Sequence, residues 1–97
     1  MNKENNLKKE FESYKNYILT LNKDEIFNRA FEINFYTEVY NYLKYLPQKD
    51  IEKYKLNDLY MWELFNFFID CEEYNYSIND SKGILKLVED FNKMKGQ

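Results

Sequence analysis

Across 97 residues there is one proline, Pro47, and there are two glycines, Gly83 and Gly96. Tight turns draw on Gly, Pro, Asn and Asp, and the many turns of a sandwich or barrel need them in number. A chain this poor in glycine and proline is built from helices joined by a few short loops. Its apolar fraction of 44 % and aromatic fraction of 20 % supply a core, and they exceed what disordered chains carry. At this length the whole of 1–97 reads as a single helical domain.

Hydrophobic spacing then places the helices. Leu7, Phe11, Tyr14, Ile18 and Leu21 recur at steps of four and three, the apolar stripe of a helix near 4–20. Asn22 followed by Glu25 has the form of a capping box and starts a second helix. In it Ile26, Ala30, Ile33, Tyr40 and Leu43 share one face, and Phe27, Phe31, Phe35, Tyr42 and Tyr45 share another. Two apolar faces imply a helix covered on both sides, or a break near Asn34. Pro47 ends the element, because the residue before proline is driven out of the helical region. One short helical turn fits within 48–55. Asn57 and Asp58 offer an N-cap for a third helix over 58–73. Ser77 to Ser81 reads as a loop rich in caps. A last helix, carrying Ile84, Leu85, Val88 and Phe91, ends near Met94. The expected fold is all-α, a compact antiparallel four-helix bundle with an extra short helix near 48–55.

The third helix constrains function most. Tyr60, Met61, Leu64, Phe65, Phe67, Phe68 and Ile69 cover most of its circumference, with Trp62 beside Ile69. Such a helix belongs at the centre of a bundle, with surface left over for a partner.

Catalytic chemistry is scarce. The chain has no histidine, which removes Ser-His-Asp and Cys-His arrangements and the commonest metal ligand. Cys71 is the only cysteine, so no internal disulfide forms; at the end of an apolar helix it reads as a small buried hydrophobe. Gly83 stands alone, so no glycine-rich phosphate loop exists. We expect no enzyme, no catalytic residues, no metal site and no cofactor. Lysines are interleaved with acids and Arg29 is the sole arginine, which argues against direct nucleic-acid binding. No apolar run approaches a membrane span, and the polar start lacks a signal core, so the expected location is cytoplasmic. Coding bias toward Asn, Lys, Ile, Tyr and Phe accounts for the ten tyrosines as a total.

Their company with acids is another matter. From Asp58 to Ser81 stand six carboxylates, Asp58, Glu63, Asp70, Glu72, Glu73 and Asp80, with no lysine or arginine. Of the chain's 17 acids that leaves 11 elsewhere, against 14 bases, so a net charge of −3 conceals a local excess. Acids at a helix C-terminus oppose its dipole by roughly 0.3–1 kcal/mol each. A cluster held there, beside Tyr74 and Tyr76, suits a strongly basic partner. Charge would steer the encounter and the aromatics would supply anchor area. The candidate partner-binding residues are Glu63, Asp70, Glu72, Glu73, Tyr74, Tyr76 and Asp80.

The pattern Leu59-Tyr60-Met61, then Phe68 through Asp80 with its Tyr76-Ser77-Ile78-Asn79-Asp80 loop, then Leu85 to Phe91, resembles the colicin D-type immunity proteins. The resemblance covers about 59–94 and implies a helical bundle of bacteriocin immunity. Such a protein binds a cognate basic toxin, a nuclease that cuts transfer RNA. Asp70, Glu72 and Glu73 would stand in for RNA phosphates in the toxin's cleft, with Tyr74, Tyr76 and Asp80 filling adjacent surface. Three rival readings stay open: a phage- or mobile-element-encoded inhibitor of a nucleic-acid-binding defence complex; a homo-oligomeric helical module, for instance a homodimer; and, against the expectation above, a carboxylate-based enzyme or metal binder.

Overall fold

A computed structural model describes residues 6–70 and 76–96 of the chain. The fold is all-α. Helix α1 spans Asn6–Ile18, α2 Lys23–Asn28, α3 Ala30–Leu43, α4 Gln48–Lys53, α5 Met61–Asp70 and α6 Ser81–Lys95, with a 3-10 turn at Leu56–Asp58. Among the described residues there is no strand. The four longer helices are α1, α3, α5 and α6, and the short helix expected near 48–55 is α4.

The capping box expected at Asn22 is present. The Glu25 amide donates to Asn22 Oδ1 at 2.9 Å, and the Asn22 amide donates to Glu25 Oε1 at 3.1 Å. The expected second helix, however, is two helices. It breaks at Arg29 (φ −101°, ψ 11°), five residues before the expected position. The break changes the angular phase, so faces counted across it do not persist. The buried stripe of α3 is Phe35, Tyr36, Val39 and Leu43, drawn from neither expected face as a whole. Phe27 and Tyr45 are left about four-fifths exposed.

Aromatic pairs fix the directions of packing. Phe11 stacks on Tyr40 at 4.3 Å and Tyr14 on Tyr36 at 3.9 Å, so advance along α1 matches retreat along α3. These two helices are antiparallel. Phe31 meets Phe68 at 6.0 Å, while Tyr36 meets Phe65 at 6.2 Å, the same relation between α3 and α5. Phe67 meets Phe91 edge-on at 5.6 Å, and Glu63 lies against Lys95, which sets α5 antiparallel to α6. Each ring pair adds about 0.5–1.5 kcal/mol beyond its buried area. Burial pushes the Tyr14 hydroxyl well above the ordinary tyrosine range, reinforced by its hydrogen bond to Glu32 at 2.9 Å.

Helix α5 touches α1, α3 and α6, the central position expected for it. Met61 and Leu64 are fully buried in a core shared with Leu7, Phe35, Val39, Leu43, Leu87 and Val88. Among the described residues no charged or polar side chain is buried, and no helix is long and apolar enough to cross a membrane.

Loops are tied to this frame by specific contacts. Lys55 follows α4 with φ 55°, the left-handed conformation that often ends a helix. Asn92 Nδ2 on α6 donates to the Tyr54 carbonyl at 2.8 Å, satisfying one of the carbonyls that the end of α4 leaves without a helical partner. Asp80 is the N-cap of α6, accepting from the Gly83 amide at 2.7 Å.

Candidate partner-binding groove

Helix α5 is short and apolar on three sides, so it cannot bury all of its large side chains. The core takes Met61, Leu64 and Phe68. Trp62 and Ile69, seven positions apart on one face, remain 53 % and 39 % exposed. Where α5 meets α6, Trp62 lines an open groove of about 270 Å³, which Ile69 does not reach. Helix α5 contributes Trp62, Glu63, Asn66, Phe67 and Asp70, and α6 contributes Phe91 and Met94. The floor is aromatic. Glu63 and Asp70 lie seven residues apart, hence about 10.5 Å along the helix axis, and put one carboxylate toward each end.

The first turn of α5 is held in an unexpected way. Asn57 and Asp58 offered an N-cap by sequence, yet the amides of Met61 and Trp62 donate to the carboxylate of Glu10, on α1. The Trp62 bond is 2.9 Å long. Burial pushes the Glu10 carboxyl above its ordinary value; the two amide bonds pull the other way, and nearby Glu63 adds to the rise. Glu10 therefore sets the backbone that carries Trp62. Nothing local in the sequence marks it, because its partners are half a chain away.

The expected site residues divide into four groups. Glu63 and Asp70 meet in the groove. Glu63 is already partnered: Lys95 Nζ stands 3.5 Å from its Oε1. Tyr76 lies beside the groove floor, its ring 6.4 Å from that of Phe67, and its hydroxyl donates to Asp90 Oδ2 at 2.6 Å. Asp90 also pairs with Lys86 at 3.6 Å. Asp80 serves α6 as its cap. Glu72, Glu73 and Tyr74 lie outside the described residues. Sequence reasoning noted Trp62 but did not place it in the site, and it missed Met94 and Phe91. Their signal was the excess of large apolar residues over the available core.

The groove brings together groups suited to binding. Aromatic faces offer area and a negative quadrupole, and carboxylates offer charge. Among the described residues, no group of three or more His, Cys, Asp or Glu side chains is placed to hold a metal ion. No protein-family model, curated protein or solved structure matches the chain.

Proposed function

We propose that this chain is a non-enzymatic binding protein of the immunity type. It blocks the cationic cleft of a nuclease toxin by docking the surface centred on the α5–α6 groove. The observation that carries the reading is Trp62, half exposed at the rim of an aromatic hollow whose two ends bear Glu63 and Asp70. Tryptophan is enriched among residues that dominate interface energies, and a flanking carboxylate speeds encounter with a basic surface. The blockade is occlusion: no bond is made or broken. The resemblance of 59–94 to the colicin D-type immunity proteins agrees with this reading and supplies the toxin class.

The test is co-expression with the protein encoded beside this chain's gene, followed by a pull-down. We expect a stable complex and protection of cells from the toxin. Trp62→Ala should weaken binding by about 30-fold, the effect of losing an interface anchor worth about 2 kcal/mol. Asp70→Lys should weaken it further while the helical circular dichroism stays unchanged. Toxin binding unaffected by both substitutions overturns the proposal.

A specific observation favours one second reading, self-association. Phe27 and Phe31, at the junction of α2 and α3, are 80 % and 54 % exposed. They lie on elements other than α5 and α6, the two helices that line the groove.

A further inference from the structure

Within the free protein a cation already sits at this groove. Lys95, in the last turn of α6, places Nζ 3.5 Å from Glu63 Oε1 and 5.5 Å above the centre of the Phe91 ring. Glu63 and Phe91 both line the groove. The same lysine lines a second hollow, of about 200 Å³, which shares Phe91 with the groove. Lys95 thus belongs to the second hollow while its charge lies against the groove's carboxylate. The contact is long for a charge-assisted hydrogen bond, and both side chains are partly in water. Pairs of that kind are weak and easily exchanged.

We infer that the groove is a receptor for arginine or lysine side chains of a basic protein segment, and that Lys95 is an internal competitor such a segment displaces. The inference rests on the docking reading above and states what recognises the partner. An incoming guanidinium would replace the Lys95 ammonium at Glu63 and stack on an aromatic face, tryptophan being the best of these for a cation. A second cation would reach Asp70, about 10.5 Å further along α5, a spacing that three residues of extended chain cover. A neutral or acidic segment would desolvate both carboxylates without a counter-charge, which is unfavourable.

Trp62 is the only tryptophan, so its emission reports on the groove. The full chain is titrated at low salt with a hexa-arginine peptide, with hexa-glutamate as the control. We expect a saturable change in Trp62 emission with hexa-arginine and none with hexa-glutamate. Lys95→Gln should tighten hexa-arginine binding about 2- to 5-fold, the exchange value of an exposed pair. In a Glu63→Gln background the same lysine substitution should bring little gain, because the competitor then has no carboxylate to occupy. Equal tightening in both backgrounds would reduce the effect to net charge and overturn the role of Lys95. A silent Trp62, or a response to hexa-glutamate, would overturn the cation receptor itself. Capture of the toxin together with either negative result refutes this inference alone. Failure of the capture as well removes the docking reading.

Discussion

Gly83 shows how much one residue can carry without any mark in the sequence. It stands in the first turn of α6, where the loop from Tyr76 to Asp80 folds back over the helix. A Cβ built on Gly83 would fall on the backbone carbonyl of Ser77. The obstruction is main chain, which has no rotamer to yield. Gly83→Ala therefore forces the loop off the helix and disturbs Asp80 as cap and Ile78 as buried neighbour. Overpacking of this sort costs about 1–3 kcal/mol. Each kcal/mol lowers the melting temperature of a domain this size by about 4–8 °C. Thermal unfolding followed by circular dichroism is the check, and an unchanged midpoint refutes the close approach. By sequence Gly83 signified only that a phosphate loop was missing. Its use depends on a neighbour six residues away that the helix-to-loop geometry alone brings near.

At the scale of elements, the helices that local rules can see were legible and the joints were not. The stripe from Leu7 to Ile18, the capping box at Asn22 and the stop at Pro47 all act within a few residues, and each is where the sequence puts it. The start of α5 is different. Its cap comes from Glu10 on α1, and the third helix accordingly begins at Met61 rather than at 58. Glu10→Ala strips an acceptor from two amides at once and should cost about 1–2 kcal/mol, the range of a lost N-cap. The same carboxylate gives stability a pH dependence. Its folded pKa is raised, so between the ordinary glutamate range and that raised value the native state holds more proton than the unfolded chain. Stability from this group is present below the window and is lost as pH rises through it. Denaturant midpoints measured across that window should fall with pH, and Glu10→Gln should flatten this part of the slope. A slope that survives Glu10→Gln assigns it elsewhere.

For the molecule as a whole, the extents of 40 × 39 × 24 Å describe a flattened body, and flat bodies leave apolar side chains outside. Part of the surplus collects at the α5–α6 groove and at the phenylalanines of α2 and α3, while Leu19 and Tyr45 stand exposed elsewhere. The sequence announced the first through an overloaded third helix and its acids. It hid the second, because the break at Arg29 left Phe27 outside, and Phe31 half outside, a face that had looked internal. Under the self-association reading, sedimentation equilibrium at tens of micromolar should show a dimer, and Phe27→Ser, at the more exposed of the two rings, should return it to monomer with its fold intact. A monomer before substitution removes that reading. Of the candidate site, the two carboxylates on α5 were legible as members of an acid-rich stretch without lysine or arginine. The Lys95 pairing was not, because it joins residues more than thirty positions apart.

Trp62 and Glu63 are neighbours in the chain, yet they answer to opposite helices. The first is fastened through its main-chain nitrogen to α1, the second through its side chain to α6. A fusion, a cleavage or a mutation that unseats either outer helix is consequently registered at this one dipeptide. The indole, with no sister in the chain to dilute its signal, doubles as a gauge of whether the first and last helices are both in their seats.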